Sequence, residues 1–241
     1  LESDQDTRFR LLCLKGEVLE VLNRFENSIS SYKAAAETAS AKAELCSALL
    51  GQALAFLRLD RHLEAERLLR EAEEIATALD LKSELTLIHR RRATIEFARG
   101  NAQTSFEESK IALAMAQDCG LSLLEAEALS CMADAEAASG KILSARDYYS
   151  QCIEICSKHG FRRFAIINTK MLGDNAFYRG ELVLSRKNFS QVVEDAVELG
   201  DLRSELLARN MLVYLDCLAA KSHAAIQQAH IVREQILRID I

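Results

Sequence analysis

Cys152, Cys156 and His159 have the spacing of a candidate metal site. They fall at positions i, i+4 and i+7, so on a helix they would share one face, and Cys and His are ligands that zinc prefers. Cys131 could approach them from a paired helix, which keeps a metal site open as an alternative. The other interpretation is that both cysteines fill small, buried positions, where a free Cys behaves as a modest hydrophobe.

The run His89-Arg90-Arg91-Arg92 is a second candidate for chemistry. At about 100° per helical residue the four side chains sweep most of the helix circumference, so at least one Arg must face a neighbour. One interpretation is structural: Arg92 extends its aliphatic stem toward an acidic partner such as Glu96, and the other arginines are solvated. The other is that the run contributes to a binding surface.

The sequence contains no complete catalytic motif. Gly140-Lys141 resembles the end of a phosphate-binding loop, but Ala135 stands where that motif needs a Gly, and no strand precedes it. The histidines have no accompanying Gly-x-Ser-x-Gly turn. They are His62, His89, His159, His223 and His230. We therefore expect a protein that is not an enzyme and needs no cofactor or metal.

Composition narrows the class of protein further. The 241 residues are 49% hydrophobic and 27% charged, with a formal net charge of −6, which is typical of a globular protein. The acidic excess argues against a nucleic-acid binder. No apolar stretch is long enough to span a membrane, and the first residues lack the pattern of a secretory signal. Seven cysteines without a disulfide-scaffold spacing favour a reducing, cytoplasmic location.

The elements that position these residues are predicted to be helices. The chain contains no proline, although about 12 would be usual for this length, and proline is the residue that helix interiors exclude most strongly. A glycine stands at every twentieth position from Gly100 to Gly200, and Asp60, Asp80 and Ala220 extend the series. A residue in the left-handed conformation commonly ends a helix, so each interval predicts one helix.

When the sequence is aligned with itself at a repeat length of forty residues, small residues fall into two columns. One column lies seven residues before alternate turns and the other lies five residues after them. The columns are Ala53, Ala93, Ala133, Gly173, Val213 and Ala65, Ser105, Ala145, Ser185, Ala225. Small side chains let two helices approach closely. An earlier copy, with Gly16, Asn23 and Ser28, fits after a three-residue deletion. Six helix pairs are predicted, at about 6–40, 41–80, 81–120, 121–160, 161–200 and 201–239.

The same register bears on the cysteines. Cys152 aligns with Ala112 and Cys156 with Ala116, so both stand where other repeats carry a small apolar residue. The alignment favours packing over metal binding.

These columns resemble the tetratricopeptide repeat, whose usual length is about 34 residues, in a form lengthened to match the spacing found here. The chain departs from the usual pattern because it lacks the proline that often follows the second helix, and because His89, Thr169 and Arg209 replace large residues of the first helix. The resemblance implies an all-α fold, a right-handed α-α superhelix in which 1–241 forms a single domain. The first helix of each pair would line a concave groove that binds a protein or peptide segment. These helices are called the first helices below.

A narrower resemblance rests on residues 88–174. Ile88-His89-Arg90, the 97–100 segment, the 152–161 segment and Met171-Leu172-Gly173 are similar to the C-terminal repeat regions of large bacterial proteins. Those proteins join a class III adenylate or guanylate cyclase domain and an AAA-type ATPase to tetratricopeptide repeats. This resemblance implies an alternative function, a regulatory C-terminal module of a larger signalling protein.

The tetratricopeptide resemblance also implies which positions face the groove. They are Arg90, Ser130, Lys170, Asn210 and Thr94, Asp134, Asp174, Tyr214. These residues are polar and, apart from Asp134 and Asp174, differ from repeat to repeat, as expected either of a surface matched to one extended ligand or of solvated drift. Asn residues do not recur at the repeat spacing, so recognition would use ligand side chains or a terminal carboxylate.

For this set and for Arg91 beside it, charge suggests separate roles. Arg90, Arg91 and Lys170 are expected to attract an acidic segment or free carboxylate. Asp134 and Asp174 would orient basic or amide groups of the ligand, and Asn210 and Tyr214 would add neutral hydrogen bonds. The predicted partner is therefore a protein or peptide, and not a nucleic acid or a membrane.

The last helix, at about 222–239, carries much apolar surface near the end of the chain. Its apolar residues are Ala224, Ala225, Ile231, Val232, Ile236, Leu237, Ile239 and Ile241. Repeat arrays usually end in a helix with a polar outer face. We expect either a continuation of the array or self-association through this helix.

Overall fold

The computed structural model describes residues 2–220 and 222–239, and within these ranges it forms twelve α-helices and no strand. The helices are α1 Glu2–Val21, α2 Phe25–Thr38, α3 Lys42–Arg58, α4 His62–Ala78, α5 Lys82–Ala98, α6 Ala102–Asp118, α7 Ser122–Ala138, α8 Ile142–His159, α9 Arg162–Tyr178, α10 Leu182–Leu199, α11 Leu202–Leu218 and α12 Ser222–Ile239. Their bounds agree with the six predicted helix pairs to within a few residues.

The turns between helices confirm the predicted series of left-handed residues. Gly100 has φ of 81°, and Asp60, Asp80 and Ala220 adopt φ of 56°, 52° and 54° without being glycine. The turn closes hydrogen bonds of the helix end: after α5, Gly100 N donates to the carbonyl of Phe97 at 2.9 Å. This geometry satisfies carbonyls that would otherwise lack a partner where a helix stops and the chain reverses.

The two columns of small residues are in direct contact. Where the second column holds a serine, its hydroxyl donates to the main-chain carbonyl of the first-column residue on the paired helix. These bonds are Ser28 Oγ to Gly16 O at 3.0 Å, Ser105 Oγ to Ala93 O at 2.9 Å and Ser185 Oγ to Gly173 O at 2.9 Å. A hydroxyl reaches a backbone carbonyl only when two helices approach closely, so the predicted crossing is confirmed.

The described chain falls into two compact units, residues 1–131 and residues 132–241. The core of the first unit includes Leu69 and Ile88, and that of the second includes Phe189 and Val192. The interpretation of 1–241 as a single domain stays a prediction. Among the described helices, none is both long enough and apolar enough to cross a membrane.

Candidate functional site

The run from His89 to Arg92 lies on α5, in the first unit, and its four side chains contact four different helices. His89 Nδ1 lies 2.7 Å from Glu108 on α6, and Arg90 Nε lies 3.0 Å from Glu127 on α7. Arg91 donates to the carbonyl of Leu50 on α3. The expectation that these side chains sweep the helix circumference is therefore confirmed.

Arg92 has a different partner from the one expected. It forms a two-point ion pair with Glu73 on α4, with Nη1 2.6 Å from Oε1, whereas Glu96 pairs with Arg99 at 2.7 Å. The interaction lowers the pKa of Glu73, chiefly through the hydrogen bond from Arg92. The expectation that Arg92 pairs with Glu96 was wrong. It considered carboxylates of the same helix, whereas the adjacent repeat supplies the partner.

Arg90, Arg91 and Thr94 thus occupy three different environments. Arg90 is mostly buried and ion-paired, and Thr94 donates to the carbonyl of Arg90 at 3.3 Å. Arg91 is 6% exposed, and burial lowers the pKa of its guanidinium to about 10. Of the two α5 cations predicted to attract a ligand, one is already neutralised and the other faces inward.

In the second unit, Asp134, Lys170 and Asp174 also have partners within the protein. Tyr149 donates its hydroxyl proton to Asp134 Oδ1 at 2.5 Å, and Lys170 Nζ lies 2.6 Å from Asp174 Oδ2. Burial raises the pKa of Asp134, and the Tyr149 hydrogen bond and the charge of Lys170 only partly offset it. Lys170 forms an ion pair with Asp174 on α9 and attracts Asp134 on α7, which also accepts the hydrogen bond from Tyr149 on α8.

Asp174, Asn210 and Tyr214 come together beside a pocket of about 400 Å³ between α9 and α11. Phe177 and Tyr178 line it as well, and the rings of Phe177 and Tyr214 meet edge to face with centroids 5.6 Å apart. Asn210 is exposed, and Tyr178 and Tyr214 are 77% and 51% exposed. Aromatic surface, an amide and a carboxylate are thus presented together by two helices.

Sequence reasoning predicted Tyr214 but missed Phe177, Tyr178 and Cys217 of this pocket. Phe177 and Cys217, which both line it, stand three residues before the turns at 180 and 220 and are therefore one repeat apart. Extending the groove columns toward the end of each first helix would have found them.

The cysteines lie where the packing interpretation places them. Cys152 and Cys156 are 0% and 1% exposed, and burial raises the pKa of the Cys156 thiol. His159 is exposed, and its ring stacks on Phe161 with centroids 5.7 Å apart. In the described part of the chain, no group of three or more His, Cys, Asp or Glu side chains is placed to hold a metal ion.

Comparison with known proteins identifies the fold. No protein-family model matches the chain, and no curated protein matches it. Among solved structures, a Rap protein complexed with Competence and Sporulation Factor is similar with a TM-score of 0.74 and 16% identity, over 97% of this chain and 70% of that one. Aspartyl phosphate phosphatase F from Bacillus subtilis gives 0.76 and 13%, over 98% and 63%.

A third similar structure is a signal transduction ATPase with numerous domains (STAND) protein with a tetratricopeptide repeat sensor, from Pyrococcus horikoshii. The TM-score is 0.75 at 16% identity, and the match covers 99% of this chain but 36% of that one. Identities this low establish the fold alone. The chain has an all-α fold of the tetratricopeptide-like helical-repeat class, as its sequence columns predicted.

Proposed function

We propose that this chain is a non-catalytic interaction module that binds a peptide segment of a partner protein on its first helices. The observation that carries the proposal is the pocket between α9 and α11, where Tyr178 and Tyr214 are exposed beside Asn210 and Asp174. Aromatic side chains of this kind provide most of the binding energy in many interfaces, and neighbouring polar groups fix orientation.

The charges of the site refine the kind of partner. Lys170 and Arg90 are paired with Asp174 and Glu127, so neither is a free cation for an acidic ligand. Paired charges steer a ligand weakly because their fields largely cancel. Binding at the α9–α11 pocket therefore depends on aromatic contact and on hydrogen bonds from Asn210. Of the three cations predicted to attract a carboxylate, Arg91 is the one that we propose for this role.

One of the similar solved structures supports a role in binding. The similar Rap protein is complexed with Competence and Sporulation Factor, so a chain with this fold is able to hold a bound partner. For the present chain we propose a protein or peptide partner in the cytoplasm, without nucleic acid and without a membrane.

The test uses two substitutions of exposed residues in the second unit. Peptides are selected from a displayed random library on the purified chain, and their affinities are measured by titration. We expect Tyr214→Ser to weaken the selected peptides about tenfold or more, because an exposed aromatic contact is lost. The control is Val183→Ser on α10, where Val183 is 87% exposed, and it should leave affinity unchanged.

Two results would contradict the proposal. One is that the library yields no peptide that binds the folded chain. The other is that Tyr214→Ser and Val183→Ser bind the selected peptides as tightly as the unsubstituted chain, which would move the binding surface away from α11.

The alternative function is a regulatory module of a larger signalling protein. The similar STAND protein supports this alternative, because it has a tetratricopeptide repeat sensor and the match with the present chain covers 36% of its length. An open reading frame that continues upstream into a nucleotide-binding loop and cyclase carboxylates would support the alternative. A short frame limited to helical repeats would favour the free-standing module.

A further inference from the structure

A second cavity, of about 280 Å³, lies in the first unit among α1, α2, α3 and α5. Its lining combines one cation with several carboxylates, namely Arg91 with Glu17, Glu20 and Glu84. Apolar wall is supplied by Leu54 and Leu87, among others. Glu17 is exposed, so the cavity reaches the surface along α1. This site is separate from the pocket between α9 and α11.

Arg91 is the group in this cavity whose hydrogen bonding is incomplete. The side chain is 6% exposed, and one guanidinium nitrogen donates to the carbonyl of Leu50. Its buried Nε has no hydrogen-bond partner among the residues that the structure describes, and no carboxylate of those residues forms an ion pair with it. A buried cation is costly unless it is paired and hydrogen-bonded. The geometry leaves room for an anionic group supplied by a ligand.

Tyr32 is held in the cavity wall by two glycines on different helices. A Cβ atom at Gly16 on α1 would lie 2.7 Å from Tyr32 Cζ, and one at Gly51 on α3 would lie 2.6 Å from the same atom. Any side chain at either position would displace the ring, because real Cβ contacts are not that short. Burial raises the pKa of the Tyr32 phenol, so the hydroxyl stays a neutral donor beside Arg91.

The carboxylates decide which anion could bind there. Burial raises the pKa of Glu20, and the charges of Arg91 and Arg58 only partly offset that effect. A simple anion would meet Arg91 together with three acidic side chains, so its attraction would be cancelled. A simple cation would meet the buried guanidinium. The complementary ligand carries both signs, with a carboxylate for Arg91 and a cationic group for Glu17, Glu20 and Glu84.

We propose that this cavity binds a residue carrying both a free carboxylate and a cationic side chain, as in a peptide that ends in Arg or Lys or in the free amino acid. The volume suits one residue and not an extended segment. The α-carboxylate lies against Arg91 and Tyr32, the aliphatic stem packs on Leu54 and Leu87, and the cationic end faces the carboxylates.

Three arginine probes, with a glutamate tripeptide as control, test the proposed chemistry by isothermal titration calorimetry on the full chain. They are L-arginine, an N-acetylated tripeptide with a C-terminal arginine, and the same tripeptide with its C-terminus amidated. We expect the amide to bind at least about tenfold more weakly than the free acid, because it lacks the charge that pairs with Arg91. A matched tripeptide ending in glutamate should not bind. If L-arginine alone binds, the source is the free amino acid, and if the acid tripeptide binds, the source is a peptide terminus.

Two variants assign the binding to this cavity. Arg91→Met keeps most of the side-chain volume, and Glu84→Gln changes a partly exposed carboxylate; each should weaken the best probe about tenfold. If Arg91→Met fails to fold, Glu84→Gln carries the test. The inference shares with the proposed function only the premise that first helices bind ligands, so Tyr214→Ser separates the two and should leave these affinities unchanged.

The proposal would be overturned by any of four results. One is that the amidated tripeptide binds as tightly as the acid. Another is that Glu84→Gln and folded Arg91→Met both retain full affinity. A third is that neither L-arginine nor the acid tripeptide gives a heat of binding at millimolar concentration. Loss of probe binding in Tyr214→Ser would place the site in the second unit, which also contradicts it.

Discussion

At the scale of single residues, the charged groups of the groove columns are joined to partners within the protein, on a neighbouring helix for Arg90 and Asp134 and on the same helix for Lys170 and Asp174. Asp134 illustrates the consequence, because it is held by the Tyr149 hydroxyl and lies near Lys170. Its pKa is nevertheless raised above the usual 3.8, with burial as the main cause. The folded protein therefore binds the Asp134 proton more tightly than the unfolded chain does.

This shift predicts a particular pH dependence of stability. A carboxyl group with a raised folded-state pKa stabilises the fold fully below its unfolded pKa, and that stabilisation is lost as pH rises through the folded pKa. Relative to Asp134→Asn, whose amide oxygen still accepts from Tyr149, the free energy of unfolding of the unsubstituted chain should increase as pH falls from neutral toward that range. Urea unfolding at a series of pH values measures this difference. Parallel pH profiles for the two proteins would contradict it.

The repeat register predicted which of these residues lie near one another better than it predicted their ion pairs. Asp174, Asn210 and Tyr214 do meet at one pocket, because the repeat places equivalent positions of α9 and α11 side by side. The pairing of Arg90 with Glu127 and of Arg92 with Glu73 depends on which long side chains extend toward each other across repeats. Helical periodicity specifies the face of a residue and leaves that choice open, and so reversing Lys170 to Glu is now expected to repel Asp174 within the fold.

At the scale of elements, the helices end where the sequence places a residue in the left-handed conformation. The four non-glycine examples include Ala220, whose φ is 54°. For an alanine this conformation costs about 1–2 kcal/mol because Cβ approaches the following carbonyl. Asp and Asn tolerate it better, since their short polar side chains form local hydrogen bonds. Ala220 is therefore the most strained of the turns that the sequence predicted.

Ala220→Gly should stabilise the protein by about 0.5–1 kcal/mol, since glycine removes the strain but adds some freedom to the unfolded chain. Ala219→Gly is the matched control, because Ala219 has φ of −84° and gains nothing from glycine. It should lower stability by about 0.5–1 kcal/mol. Differential scanning calorimetry compares the two variants with the unsubstituted chain. Equal melting temperatures for both would show that the turn carries no strain.

The element bounds were predictable because two independent patterns agree. The left-handed residues mark the helix ends, and the small columns mark the crossings where Ser28, Ser105 and Ser185 bond to the paired helix. The cavity of the first unit was not predictable in the same way. It depends on Tyr32 lying between Gly16 and Gly51, and Gly51 stands outside the columns that define the repeat.

At the scale of the whole molecule, the two compact units have separate cores. The last helix of the second unit carries exposed apolar residues, as predicted for Ile231 and Ile236, which are 38% and 47% exposed, whereas Ala225 is 5% exposed. Ile226, which the prediction omitted, is 57% exposed. Val232 is partly buried, and the side chains of the other four predicted residues lie outside the described ones. They are Ala224, Leu237, Ile239 and Ile241.

Self-association through α12 stays a prediction with a direct test. Sedimentation velocity at rising concentration should reveal association that Ile226→Lys weakens, because burying an unpaired charge in an apolar interface is unfavourable. Leu63→Lys on α4, where Leu63 is 75% exposed, is the matched control and should associate normally. A monomer at every concentration, or equal association in both variants, would contradict the prediction.

Hydrogen–deuterium exchange with and without a selected peptide tests most directly whether the first helices of the second unit bind the partner. Backbone amides of α9 and α11, Arg162–Tyr178 and Leu202–Leu218, should exchange more slowly when the peptide is bound, because binding suppresses local opening. Those of α10 should change little. Protection confined to α10, or no protection in a complex shown to form, would contradict the account.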